Sequence, residues 1–522
     1  MSITITKIHL INYKRFCDYI VEPNPNINIL AGDNEVGKSS IIEAIDLVAS
    51  GNVRKVETIG VDKLLNINAV RAFMAGPHTF ELLPKLTIEL YLDGHGTFGP
   101  EMNGKNNTSG LLCDGIRLIC QPNQDYYNEI VNSMREQADY FPYDYYSVRF
   151  STFADEGYSS YKKKLRTILI DSGTMNSEYA TNDFIKRMYR QCTEDHIEER
   201  AVHRSKYRQL KDSFRSDSLN ALNHRIPDQK YEFGLKMTAT TEFENDLMVF
   251  EDDISIDSKG TGRQVFIKTD FALKRAGDNI DVVLLEEPEN HLSHTNLRKL
   301  IELVATTQRG QLFVTTHNSL ISTRLDLQNV LLIGGTTEGH PISLRELQTD
   351  TGKFFMKAPV ANILEFALST RAILVEGPSE YMLFERFYKT IVGHRPEEDQ
   401  VHIIDVHGLS FKRYLEIACL LGNRVAVITD NDHDKQKNCI EKYQEYATVT
   451  SIEIFTATEN GNYTFEVVLY GSNQQLCDNI FGQNALNYML GNKTEAAYRL
   501  LEQDATIVVP EYIQEAIKWI KE

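Results

Sequence analysis

The hydrophobic pattern divides this chain into three kinds of stretch. Asn26-Ile27-Asn28-Ile29-Leu30 is a short apolar run that predicts a buried strand. A polar loop follows. Then Ser40-Ile41-Ile42-Glu43-Ala44-Ile45-Asp46-Leu47-Val48 places apolar residues at helical spacing. Asp281-Val282-Val283-Leu284-Leu285 and Leu312-Phe313-Val314-Thr315-Thr316 are two more buried-strand runs. Between Phe153 and about Tyr231 the pattern turns to long polar helices with dense charge, including Lys186, Arg187, Arg190, Arg200, Arg204, Lys206, Arg208, Lys211 and Arg215. From about Ala361 strands and helices alternate. Strands are predicted at Ala372–Val375, Val401–Val406, Arg424–Thr429 and Ser451–Phe455, and helices at Ser379–Val392, Ser410–Leu421 and Cys439–Tyr446. Such alternation predicts a parallel sheet with crossover helices, whose sites lie at the carboxyl ends of the strands.

With 522 residues the chain is long enough for two or three domains with cores of their own. No apolar run approaches the ~20 residues that span a bilayer, so no membrane role is expected. Met1-Ser2-Ile3-Thr4-Ile5-Thr6-Lys7 alternates like a strand and is unlike a signal peptide. The seven cysteines form no Cys-x-x-Cys pair, which points away from zinc and disulfides and toward a cytoplasmic protein. The net charge of −18 argues against a broadly basic nucleic-acid surface. It leaves room for a local basic groove, or for metal ions at the reacting phosphate.

Two clusters carry chemistry. Gly32-Asp33-Asn34-Glu35-Val36-Gly37-Lys38-Ser39, between strand and helix, is a phosphate-binding loop. Gly32 and Gly37 let backbone N–H groups wrap the phosphates, with Asn34 in the same turn. Lys38 reaches the terminal phosphates, Ser39 takes Mg²⁺, and Ser40 begins the helix. The strand after Asp281 ends in Glu286-Glu287-Pro288-Glu289. Glu286 is placed to hold the Mg²⁺ shell, and Glu287 to polarise the attacking water. His317 ends the next strand as a γ-phosphate sensor. Ser258-Lys259-Gly260-Thr261-Gly262-Arg263-Gln264 opens a helix.

The second cluster is acidic. Leu374-Val375-Glu376-Gly377-Pro378-Ser379-Glu380 and Thr429-Asp430-Asn431-Asp432 put carboxylates at two strand ends. Glu380 stands one helical turn past Glu376 and faces the same way. Carboxylates this crowded stay ionised together only with cations among them. Two Mg²⁺ ions ~4 Å apart would serve phosphodiester hydrolysis.

The order of phosphate loop, Gly260/Gly262 segment, Glu-Glu-Pro-Glu and strand-end histidine resembles the ABC-type ATPases of the DNA-repair kind, although no glutamine loop is placed. That resemblance implies heads that dimerise over nucleotide, with Gly260 and Gly262 offered to a partner's ATP. The acidic pair of motifs resembles the TOPRIM domain. Together they are similar to the OLD (overcoming lysogenization defect) family of ATP-regulated nucleases, which includes retron-associated antiphage effectors. Tyr463-Thr464-Phe465-Glu466 resembles a motif that adds a metal-binding carboxylate, and Lys493 lies in a segment whose lysine stabilises charge at the phosphate. The implied fold is α/β, an ABC-type ATPase domain with a helical insertion followed by a TOPRIM domain. The expected division is 1–152 and 232–360 for the ATPase, 153–231 for the insertion (a solvated helix pair, a dimerisation arm or a DNA contact), and 361–522 for the nuclease with a helical C-terminus. The implied cofactors are ATP with one Mg²⁺, and two Mg²⁺ or Mn²⁺ ions at the acidic site. The implied partners are DNA, further copies in a dimer or tetramer, and a separate protein such as a helicase or a reverse transcriptase with its RNA–DNA product. Two rival readings remain at this point: a DNA-binding clamp ATPase with a non-catalytic TOPRIM module, and an RNA-cleaving toxin held by a partner.

Overall fold

The computed structural model of the chain describes residues 3–136, 140–161, 163–171, 182, 185–186, 188–190, 192–193, 196–226, 231–235, 242–275, 280–307, 310–334, 339–358, 362–408, 410–503 and 505–522. Arg187 of the charged segment lies outside the described residues. The chain forms two compact units. One comprises Met1–Ile8, Ile42–Leu65 and Phe73–Thr315. The other comprises His9–Ile41, Asn66–Ala72 and Thr316–Glu522.

In the first unit the strand Val282–Glu286 pairs in parallel with Gln311–Thr316 on one side and Thr167–Asp171 on the other. Val282 to Leu285 are fully buried, as the apolar run requires. A separate antiparallel layer joins Leu86–Asp93, Cys113–Pro122 and Tyr146–Thr152. The Thr167–Asp171 strand corrects the helical reading of 153–231. Arg166-Thr167-Ile168-Leu169-Ile170 is a β-branched apolar run, and its burial beside Val282–Glu286 outweighs the polar character of its surroundings. The expected long polar helix is present at Ile197–Asp217. Several of its basic neighbours are engaged inside the protein. Arg190 and Arg204 both clasp Glu244, which is 3% exposed, and Arg200 donates to Thr193 O at 3.0 Å. Among the described residues, Cys17, Cys113, Cys120, Cys419, Cys439 and Cys477 form no disulfide. Among the described residues no helix is long and apolar enough to cross a membrane.

The second unit holds the phosphate loop and the C-terminal sheet. Ile27–Ala31 pairs in parallel with Val330–Leu332, and the helix Lys38–Ser50 follows the loop. The C-terminal sheet has four strands in the order Val401–Asp405, Arg371–Val375, Arg424–Ile428, Ile452–Phe455, every pair parallel. The predicted strands are thus present, within a residue or so at each end. The helix Pro378–Val392 buries Leu383, Phe384 and Phe387 against Ile373 and Val375. The last helix, Glu511–Lys521, adds Ile513, Ile517 and Ile520 to the same core. Its end is tied to the starts of the two central strands. Arg371 donates to Lys521 O at 2.6 Å, and Arg424 donates to Trp519 O at 2.6 Å. The helix therefore runs back along the sheet, bringing its first turn to the strand tips where the acidic residues stand.

One helix departs from expectation. Residues Gln436–Glu441 form a wide turn in which Lys442 N–H reaches back to Lys437 O at 3.2 Å, and a short turn at Gln444–Tyr446 follows. Side-chain anchors explain it. Asn438 donates to Asn431 O at 3.0 Å, and the Cys439 sulfur lies 3.6 Å from Asp430 O, so this segment is pinned to the aspartate loop.

Candidate active site

The acidic site is built where two neighbouring central strands end. Leu374 pairs with Val427 in the parallel register, so Glu376 and Asp430 leave adjacent strands at the same edge. Glu380 sits in the first turn of the helix that Gly377 and Pro378 introduce. Glu466 sits in the first turn of the helix Phe465–Ser472. That helix start also binds Asp430 directly, since the Phe465 N–H donates to Asp430 Oδ1 at 2.8 Å. Lys493 begins the helix Lys493–Leu501, and its ammonium lies 3.0 Å from Glu466 Oε2.

Four of the five expected metal-site carboxylates thus interact. Burial, then the charges of Asp430, Glu466 and Glu376, push the Glu380 carboxyl up to about 8. Burial, then Glu376 and Glu466, push Asp430 up to about 7, with Lys493 pulling the other way. Burial opposes the charge of Lys493, yet Glu466, Asp430 and Glu380 hold its ammonium above the usual lysine range. Asp432 is not drawn into this group. It is exposed, its backbone is left-handed (φ 46°), and its N–H donates to Tyr463 O at 3.1 Å.

The donor set suits a hard divalent cation. All four side chains offer carboxylate oxygens. Glu466 is 2% exposed, and among the described residues its Oε2 has the Lys493 ion pair and no other hydrogen-bond partner. Among the described residues no three His, Cys, Asp or Glu side chains close up into a finished metal shell.

These shifts fix a pH dependence for metal-free protein. Between about pH 4 and pH 8 the folded state retains protons on Glu380 and Asp430 that the unfolded chain, at 4.5 and 3.8, releases. The folded state binds more protons, so stability is greatest below this window and falls as pH rises through it. The melting temperature in chelator is expected to drop by about 5 °C or more from pH 6 to pH 8.5. Added Mg²⁺ should recover more at pH 8.5 than at pH 6. A flat or rising metal-free profile in thermal melts would contradict the raised carboxyls of Glu380 and Asp430.

Two neighbours escaped the sequence reading. Asn431, between the two aspartates, is fully buried, and its amide donates to Ala457 O, Glu459 O and Asn462 O at 3.0–3.2 Å. It clamps the loop that leads to Glu466. Its burial leaves no trace in a polar triplet. Tyr512, on the last helix, is kept from ionising by burial and by Asp430, Glu380 and Glu466. Only the return path of that helix brings it to the site.

The nucleotide elements are in place locally. Lys38 is 4% exposed, and its ammonium donates to Gly32 O and Asp33 O at 2.7 Å each. Gly37 has φ 103°, and a Cβ there would stand 2.5 Å from the Phe16 ring. A Cβ on Gly32 would meet Ile333 O at 2.5 Å. Asn34 and Ser39 are exposed and Ser40 is half-buried. In the other unit, Glu286 ends its strand, and Glu287 is left-handed (φ 38°) with its N–H on Thr315 O at 3.1 Å. Asn290 donates to Glu287 Oε2 at 2.7 Å. Gly260 lies in open space before the helix Thr261–Arg275, whose second residue is Gly262. Flanking it, Arg263 and Lys259 hold the Glu251 carboxyl down at about 2. His317 is exposed, just after its strand.

Comparison with known proteins agrees with this layout. An AAA domain model matches residues 7–88, spanning the phosphate loop. A second, described as "AAA domain, putative AbiEii toxin, Type IV TA system", matches 192–323, spanning Glu286, Glu287 and His317. Its match begins within the segment read as an insertion and includes the helix Ile197–Asp217. The TOPRIM domain of overcoming lysogenization defect protein-like proteins matches 368–432, spanning Glu376, Glu380, Asp430 and Asp432. A search of curated proteins finds no match. Among solved structures, the Smc head bound to the C-winged helix domain of ScpA is 13% identical, with 66% of this chain and 100% of that one covered and a TM-score of 0.34. The SMC head domain from Thermotoga maritima is 14% identical, covers 65% and 97%, and scores 0.29. The Smc head with an extended coiled coil bound to the C-terminal domain of ScpA, from Pyrococcus furiosus, is 11% identical, covers 67% and 99%, and scores 0.32.

The chain is an α/β protein that joins a P-loop ATPase to a C-terminal TOPRIM domain. This pairing matches the ATPase–TOPRIM fusions of the overcoming lysogenization defect kind. ATP and divalent metal are the cofactors that such domains use in general.

Proposed function

We propose that this protein is an ATP-regulated, divalent-metal-dependent endonuclease that cuts or nicks DNA, and that it acts as an antiphage defence effector. One observation carries the reading: carboxylates gathered at adjacent strand ends, Glu376 exposed, Asp430 half-buried, Glu380 and Glu466 buried, with a lysine 3.0 Å from Glu466. A purely structural TOPRIM module gains nothing from burying mutually repelling acids. Glu376, Asp430 and Glu466 are the proposed metal ligands, with Glu380 behind them and Asp432 available from the solvent side. Two Mg²⁺ or Mn²⁺ ions, when bound there, would polarise the phosphate and the attacking water. Lys493 is placed to neutralise the charge that builds on the phosphate. Asn431 and the Phe465 N–H hold the aspartate loop still while this happens.

For nucleotide, Gly32, Asn34, Gly37, Lys38, Ser39 and Ser40 form the proposed phosphate cradle, with one Mg²⁺ on Ser39 and Glu286. Glu287 is the proposed hydrolytic carboxylate, His317 the γ-phosphate sensor, and Gly260 and Gly262 the ABC-type contact to a second copy's nucleotide. Its ATPase comprises 1–152 and 232–360 together with the strand Thr167–Asp171, the rest of 153–231 is an insertion, and the nuclease is 361–522, working as a homo-oligomer.

The test is cleavage of plasmid and linear duplex DNA by purified protein with Mg²⁺ or Mn²⁺, with and without ATP, beside Glu376→Ala. Metal-dependent cleavage lost by at least about 10³-fold in the variant is the expected result. Metal-dependent cleavage of RNA but not DNA would replace the substrate. ATP-dependent DNA binding without cleavage of either would replace the nuclease with a clamp.

A further inference from the structure

The strand beside Glu376 ends in a pair that the metal site leaves unused. Asp405 closes the Val401–Asp405 strand and is 5% exposed. Two residues on, His407 Nδ1 lies 3.1 Å from Asp405 Oδ2, and the His407 backbone N–H donates to Asp405 Oδ1 at 2.6 Å. Both oxygens of a buried carboxylate thus serve one histidine. The His407 backbone is left-handed (φ 51°), a conformation that a non-glycine residue adopts only when its surroundings hold it there. The two bonds to Asp405 hold it there. The imidazole itself is 45% exposed, so Nδ1 is anchored inward and Nε2 lies on the open side.

This loop is also stitched to the glutamate strand. Val406 N–H donates to Val375 O at 3.0 Å, and Gly408 N–H donates to Glu376 O at 2.9 Å. Parallel pairing sets Asp405 opposite Val375, one residue before Glu376. The imidazole therefore emerges at the same sheet edge as the metal-site carboxylates.

We propose that His407, oriented by Asp405, is the general base of phosphodiester hydrolysis at this site; the inference rests on the nuclease reading above. Asp405 keeps the Nδ1 proton in place, which leaves the Nε2 lone pair to accept one. As the water oxygen bonds to phosphorus, its proton passes to Nε2. The bond from phosphorus to the sugar oxygen breaks, and that oxygen takes a proton from solvent. The imidazolium then returns its proton to solvent. Asp405 is a positioning residue and takes no proton. On the helix Phe411–Leu421, Tyr414 is a phenol that burial and the Asp405 charge keep neutral.

The test is single-turnover DNA cleavage by wild type, His407→Asn, His407→Gly, Asp405→Asn and Glu376→Ala over a range of pH, with thermal melts for each. Asparagine tolerates the left-handed backbone, so His407→Asn is expected to fold. It should cleave about 10²–10⁴-fold more slowly with DNA affinity unchanged, and the fall of rate toward acid pH should disappear. Asp405→Asn should slow cleavage less, and added imidazole should partly rescue His407→Gly. His407→Asn cleaving within about threefold of wild type, or slowed with an unaltered pH profile, overturns the base role while Glu376→Ala still reports on the nuclease. A wild type inert toward DNA overturns both.

Discussion

Asp430→Asn is expected to abolish metal-dependent cleavage and yet to make the metal-free protein more stable at pH 8. The two effects have one cause. Asp430 is a half-buried carboxylate pressed by Glu376 and Glu466, and desolvation and those charges raise its carboxyl to about 7. At pH 8 the metal-free fold must hold that charge at a cost. An asparagine has the same shape and can still accept the Phe465 N–H on its Oδ1, but it carries no charge. The metal-free melting temperature should rise by about 2–5 °C, and cleavage should fall by at least about 10³-fold, with ATP hydrolysis retained. Adding Mg²⁺ should raise the melting temperature of wild type and leave that of the variant nearly unchanged. Thermal scans in chelator and in Mg²⁺ decide it. A variant that is destabilised without metal would mean that Asp430 is a structural acid, and would remove the main support for the metal site.

That cluster shows what was legible in the sequence and what was not. Glu376 and Asp430 could be read because each closes an apolar run, and parallel sheets place their sites at such ends. Glu466 and Lys493 could be read only through resemblance, since nothing in Tyr463–Glu466 or Asn492–Ala497 marks a shared destination. The structure nevertheless sets them 3.0 Å apart. Asp432, for all its nearness to Asp430, stands outside the group that Glu376, Glu380, Asp430 and Glu466 form. Alternation along an extended strand would aim both the same way, but the chain turns at Asn431, whose amide is committed to three carbonyls. Tyr512 was invisible because its place depends on how a distant helix is tied down at Arg371 and Arg424. Strand Thr167–Asp171 was missed because a five-residue apolar run was outvoted by the charged residues after it. In each case the missing information is a long-range contact, which periodicity does not carry.

Lys38→Ala is expected to weaken ATP binding by at least about 10²-fold while leaving the Mg²⁺-dependent rise in melting temperature intact. The lysine is already part of the loop's own structure. Its ammonium is buried and donates to Gly32 O and Asp33 O, so the loop is folded around a positive charge before any phosphate arrives. Removing it takes away the charge that meets the terminal phosphates and leaves two carbonyls to rearrange. Calorimetric titration with a non-hydrolysable ATP analogue and Mg²⁺ measures the loss; binding within about threefold of wild type would show that the loop is not the nucleotide site. The same variant then reads the sign of regulation. If ATP restrains the nuclease, Lys38→Ala cleaves DNA at ATP concentrations that silence wild type. If ATP licenses it, the variant stays slow at every ATP concentration while Asp430 and Glu376 remain competent. A nuclease that is blind to ATP in both proteins would separate the two sites functionally, despite their sharing one chain.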